Sequence, residues 1–171
     1  MLAVVRAIAL RLDAAGVDWW LAGGAARLLR GGAGRPRDVD IEVRAEDTAQ
    51  AARALGLPLP AVAAGGGWRS LRSEGAIAGV PVDLSGGITV SGPGGTLAGP
   101  DPVPAPEGQP GASWAGIPLL PEGEAHARAV VSGDERRRAA AEAALPDDPV
   151  LRAAALAYAD SRIAAAASAA R

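Results

Sequence analysis

A chain of 171 residues with a formal charge of −2 and a pI near 5.4 has the length of one domain, able to bury about 70% of the surface its unfolded form exposes. That acidic balance excludes a protein whose main work is to grip nucleic acid through a strongly basic face, and the absence of cysteine excludes a disulfide framework, a thiolate nucleophile and a Cys-based zinc site. A single histidine, His126, is too few for a His-rich metal centre or a His-dependent triad, and four Trp and one Tyr with no Phe leave the core to Ala, Val, Leu and Ile.

All 17 basic residues are Arg, which with the Ala, Gly and Pro load reads as the compositional bias of a GC-rich genome. The first residues carry Arg6 and Arg11 inside an apolar run, unlike a signal peptide. No segment approaches the roughly 20 uncharged apolar residues that span a bilayer. A cytoplasmic protein with no membrane partner is the expectation.

Leu2, Val5, Ile8, Ala9 and Leu12 share one helical face, which predicts an amphipathic helix over 2–15 ended by Gly16. Val17 to Ala22 reads as a short strand running into Gly23-Gly24, and Ala25 to Arg30 as a short helix. The glycines and proline of 31–37 make a loop. Residues 38–43 alternate as a strand, with Val39, Ile41 and Val43 toward the core and Asp38 and Asp40 together on the other face. A helix over 46–55 follows, with Glu46 and Asp47 in its first turn. This strand, helix, strand, helix order predicts an α+β or α/β-like layer around one mixed sheet flanked by helices.

Trp68 to Ile77 and Val80 to Val90 read as a hairpin that turns near Gly79, with Asp83 in its second strand. Residues 91–111 are dense in Gly and Pro and predict a loop or a partly disordered crossing. Ser113 to Leu120 reads as a last strand carrying Trp114, Ile117 and Leu119. Three Ala-rich helices, 122–131, 134–145 and 149–169, close the chain. The organisation this gives is one domain over 1–120, with a helical segment over 121–171 packed on it. Helices with such weak apolar stripes gain by packing on a partner, which leaves a homodimer or a partner protein open.

Two carboxylates on one strand face are a place for a divalent cation, and magnesium is commonly held by one or two carboxylates together with substrate phosphates. A solvated strand face is the bland reading of Asp38 and Asp40 taken alone. The glycine pair changes that balance, because Gly23 and Gly24 let backbone approach a phosphate at a positive helix end. Arg27, Arg35 and Arg37 are placed to neutralise a triphosphate, although such arginines are more often surface residues or partners of nearby acids. Glu42 shares the face of Asp40 and reads as a solvated neighbour; Glu74 is a further acid in the preceding strand. His126 and the Arg136-Arg137-Arg138 run read as helix-packing and solvated residues, and Trp19 and Trp20 as packing.

The ordered set Ala22-Gly23-Gly24, spacer, Asp38-Val39-Asp40 resembles the nucleotidyltransferase superfamily typified by DNA polymerase beta, over roughly residues 17 to 90. The resemblance implies a third carboxylate on a neighbouring strand, for which Asp83 in Val80-Pro-Val-Asp-Leu84 is the candidate. It implies catalytic and metal-binding roles for Asp38, Asp40 and Asp83, a two-metal magnesium site, and nucleotide binding by Gly23, Gly24, Arg27 and Arg37. The implied reaction moves a nucleoside monophosphate from a nucleoside triphosphate, ATP among them, to a hydroxyl on a small molecule, RNA or protein.

Gly23-Gly24-Ala-Ala-Arg27 is also similar to the signature of CCA-adding tRNA nucleotidyltransferases, but Leu28 stands where those have an aspartate. The Trp-Leu-Ala-Gly-Gly start with Arg-Asp-x-Asp is similar to small enzymes that adenylylate aminoglycosides or lincosamides, and to minimal nucleotidyltransferases of toxin and antitoxin pairs. A non-catalytic relative acting as a nucleotide- or partner-binding module is the alternative from a different class.

Overall fold

The computed structural model describes residues 1–100 and 113–169. In chain order the elements are α1 (Leu2–Ala14), β1 (Trp19–Ala22), α2 (Gly23–Leu29), β2 (Val39–Val43), α3 (Thr48–Leu55), β3 (Ala61–Gly65), β4 (Trp68–Ile77), β5 (Val80–Gly92), β6 (Gly95–Ala98), β7 (Ser113–Trp114), β8 (Ile117–Pro118), α4 (Glu124–Ser132), α5 (Glu135–Glu142) and α6 (Pro149–Ala169). Among the described residues one mixed sheet runs β1-β2-β5-β4-β3, with β6 beside β5. β1 is antiparallel to β2, and β2 is parallel to β5. The fold class is therefore α+β with a mixed sheet, and no described helix is long and apolar enough to cross a membrane.

The chain divides into two compact units. The first holds Met1–Ala63, Ser70–Ile88 and the stretch ending at Leu120. Its core is aliphatic, as the composition requires: Ile8 and Leu12 of α1, Leu21 of β1, Ile41 of β2 and Leu84 of β5 are all fully buried, with Leu55 of α3 beside them. Val39, Ile41 and Val43 take the buried positions of β2 while Asp40 and Glu42 stay half-buried, so the period-2 pattern decides which face carries acids. Trp19 joins this core, and Trp20 packs with Ala22 and Leu120.

Four details differ from the sequence reading. α3 begins at Thr48, so Glu46 and Asp47 lie in the turn before it; the buried Thr48 hydroxyl donates to the Arg44 and Ala45 carbonyls at 3.0 and 2.8 Å. The segment 113–120 is two short antiparallel strands, because Ala115 and Gly116 both take positive φ and fold it into a tight turn. β6 lies within the expected loop 91–111, whose residues 101–111 are outside the described ones. β3 was not expected at all: Ala-Val-Ala-Ala-Gly has no alternation to announce a strand.

The second unit holds Ala64–Arg69, Thr89–Gly99 and Pro121–Arg171, of which residues to 169 are described. Its helices pack through small residues: Ala155, Ala159 and Ala166 are the buried face of α6, and a Cβ on Gly123 would lie 2.1 Å from the Ala155 carbonyl oxygen. Glu124, fully buried, accepts from Arg128 Nε at 2.8 Å, Tyr158 Oη at 3.0 Å and Arg162 Nε at 3.1 Å. Arg137 lies over the Trp68 ring, 4.6 Å from its centroid.

Breaking one side of a buried ion cluster leaves charge without compensation, so Glu124→Gln is expected to destabilise the protein by about 3 kcal/mol. A urea unfolding series compares the variant with wild type. An unchanged midpoint would show that the two guanidiniums find other partners.

Candidate active site

The acids of β2 and β5 meet because the two strands run parallel in one register. Asp40 stands opposite Asp83, with Val39 opposite Val82 and Ile41 opposite Leu84. Those four apolar side chains are buried at 2% exposure or less, which commits both carboxylates to the other face of the sheet. Neighbouring strands lie about 4.8 Å apart, so the two acids are side by side. Glu42 and Ser85 form the next pair along the same face. Asp38 precedes β2 and is exposed.

Gly23 makes room for one of these acids. A Cβ on Gly23 would lie 1.8 Å from Asp40 Oδ2, and the residue takes φ +59, a left-handed conformation that strains side-chain-bearing residues. Asp40 itself is paired with Ala22 across β1 and β2, the residue just before the glycine. The carboxylate therefore lies over the Gly23 backbone at the start of α2. Gly24 is less constrained: a Cβ there would meet Pro36 Cβ at 3.5 Å, an ordinary contact.

Burial pushes the Asp40 carboxyl up to about 6 from its usual 3.8, helped by the carboxylates of Asp38, Asp83 and Glu42 and opposed by Arg72. Arg72, on β4, is the residue beside these acids that the sequence reading missed. Its Nε donates to Asp83 Oδ1 at 2.9 Å, its Nη2 donates to Asp83 Oδ2, and Nη2 also pairs with Glu74 at 2.7 Å. The Asp83 carboxylate in turn pushes the Arg72 guanidinium further up. Arg72 and Glu74 share one strand face by period 2, a weak signal that becomes specific only with the register of β4 on β5.

A Thermotoga maritima protein whose own assignment as a nucleotidyltransferase is provisional has a similar solved structure, with TM-score 0.61 and 23% identity over 81% of this chain and 89% of that one. The chain has the nucleotidyltransferase fold. The solved structure of ANT(2″)-Ia in complex with adenylyl-2″-tobramycin also matches, with TM-score 0.44 and 17% identity over 91% of this chain and 97% of that one, a likeness too slight to add to the first. No family model matches the sequence, and no curated protein matches it.

Within the nucleotidyltransferase fold, the other residues expected at the site lie around the start of β2. Arg27 is exposed, and its side chain runs along the loop that leads to β2: Cβ atoms on Gly32 and Gly34 would lie 2.6 Å from its Cγ and 2.8 Å from its Nη2. Arg37 is exposed beside Asp38. His126 is half-buried in α4 with no partner for its Nδ1 among the described residues.

Magnesium, which the fold implies, prefers oxygen donors and takes one or two protein carboxylates with the remainder from phosphates and water. Among the described residues no three His, Cys, Asp or Glu side chains form a ready cage for an ion. The in-register Asp40 and Asp83, with the negative field that raises Asp40, fit the other kind of magnesium site, one completed by substrate phosphates.

Proposed function

We propose that this protein is a magnesium-dependent nucleotidyltransferase that moves a nucleoside monophosphate from a nucleoside triphosphate to a hydroxyl acceptor. The pairing of Asp40 with Asp83, beside Gly23 and backed by the buried Val39, Ile41, Val82 and Leu84, carries the reading. Nothing in a stable sheet requires two acids opposite each other. Like charges directly across a strand pair are unfavourable; Arg72 offsets the charge of Asp83, and a divalent cation would offset that of the pair.

In this reading Asp38, Asp40 and Asp83 would hold the magnesium ions. When bound, magnesium supplies neutralisation of the triphosphate and of the departing pyrophosphate. Asp40, set over the Gly23 backbone, would anchor the site at the start of α2. Asp83 takes the proton of the acceptor hydroxyl as its oxygen attacks the α-phosphorus in line; the α-phosphorus to bridging-oxygen bond breaks and pyrophosphate leaves. Arg27 and Arg37, exposed near the start of β2, meet the triphosphate charge, and the Gly23-Gly24 backbone borders it.

Thermal midpoints with each of the four ribonucleoside triphosphates, with and without magnesium, test this. At a hundred times its dissociation constant a ligand adds about 2.7 kcal/mol, which raises the midpoint of a chain this size by roughly 5 to 10 °C. The expected result is a magnesium-dependent rise with at least one triphosphate, lost in Asp38→Asn. No rise with any of them would count against the reading.

A further inference from the structure

Asp83 has both of its oxygens engaged. The Arg72 fork takes Oδ1 through Nε at 2.9 Å and Oδ2 through Nη2, so the atoms a cation would need already hold a guanidinium. The contact is open to water, with the Arg72 side chain 45% exposed and that of Asp83 21% exposed. Ion pairs of that exposure contribute little to stability and are readily exchanged. Among the described residues Asp40, the in-register neighbour, has no such fork, and it keeps its negative surroundings.

We propose that Arg72 is a positioning residue that holds Asp83 as a closed ion pair and competes with the divalent cation for it. This rests on the reading of Asp38, Asp40 and Asp83 as the cation site. A doubly charged ion outcompetes a singly charged fork once phosphate adds its own attraction. The displaced guanidinium keeps a bidentate shape suited to a phosphate oxygen pair. Loading of the third carboxylate is then tied to arrival of the triphosphate, and free cation alone binds poorly.

The test is binding of Mn2+ alone, read by the loss of its free paramagnetic resonance signal, to wild type, Arg72→Gln, Arg72→Lys, Arg53→Gln, Asp83→Asn and Arg72→Gln/Asp83→Asn. Removing a direct competitor is expected to tighten Mn2+ binding by about tenfold in Arg72→Gln, with Arg72→Lys staying within about threefold of wild type. A variant that merely loosened the strand would weaken binding instead. Arg53→Gln removes an exposed charge on α3 that has no part in the site, and a change under about twofold is expected there. Arg72→Gln binding no tighter than wild type, or Arg53→Gln tightening as much, overturns the proposal. If Asp83→Asn weakens binding while Arg72→Gln leaves it unchanged, the cation site stands and the role of Arg72 falls. If Arg72→Gln/Asp83→Asn binds Mn2+ as tightly as Arg72→Gln does, Asp83 is no ligand and both fall.

Discussion

Asp40→Asn is expected to abolish transfer and, in the metal-free protein, to raise stability. The carboxylate titrates near 6 in the folded state against 3.8 unfolded, so the folded protein holds it at a cost once it is charged. The gap between 3.8 and about 6 corresponds to about 3 kcal/mol at most, and partial access of water reduces this to about 1 to 2 kcal/mol.

The sign follows from proton counting. Between pH 3.8 and about 6 the folded chain binds a proton that the unfolded chain has released, so stability from this group falls as pH rises through that window. Above it the penalty is complete; below it the penalty is gone. The Asn variant does not titrate there. Its advantage over wild type should be largest at pH 7 to 8, worth roughly 2 to 8 °C in midpoint, and should vanish near pH 4. Transfer should fall by about a thousandfold or more, the scale on which preorganised charge acts. Paired urea titrations at pH 4 and pH 8, with a transfer assay, check both halves. A variant less stable than wild type at pH 8 would mean that Asp40 is a structural acid.

The glycine pair gives the second large effect. Gly23→Ala forces a side chain into a left-handed conformation and drives its Cβ to 1.8 Å from Asp40 Oδ2, so the acid must move. A loss of about 2 to 3 kcal/mol in stability is expected. Transfer should fall about a hundredfold, because a misplacement near 1 Å suffices for that. Gly24→Ala meets only Pro36 at an ordinary 3.5 Å and should stay within about 0.5 kcal/mol of wild type. Truncating the acid in the double variant Gly23→Ala/Asp40→Ala should recover part of the lost stability, since the two changes share one contact. Equal effects of the two single glycine changes would show that the pair serves only the strand-to-helix turn.

The sequence made the sheet partly legible. β2, β4 and β5 carry β-branched and apolar residues between turn formers, and β4 and β5 are separated by Ala78-Gly79, both at positive φ, so their limits could be read locally. β3 and β6 could not, because Ala, Gly and a single Val or Leu hold no period; they are strands by virtue of the neighbours they pair with. That Asp40 stands on the face opposite Val39, Ile41 and Val43 follows from strand period, whereas Asp38, expected on the strand with it, lies just before β2. The register that sets Asp40 against Asp83 joins strands separated by a helix and two further strands, which no local pattern encodes. Arg72 on Asp83 depends on that same long-range placement, as does Glu124 among Arg128, Tyr158 and Arg162. In an Ala- and Arg-rich chain these buried or forked pairs look like any other surface charge.

A site built on Asp40 and Asp83 is tested most directly by calorimetric titration of each ribonucleoside triphosphate, with and without magnesium, into wild type, Asp40→Asn and Asp83→Asn. At least one triphosphate is expected to bind wild type only when magnesium is present, and either substitution to weaken binding by about tenfold or more. Binding that ignores magnesium, or that both variants retain in full, would contradict a site built on the Asp40 and Asp83 pair.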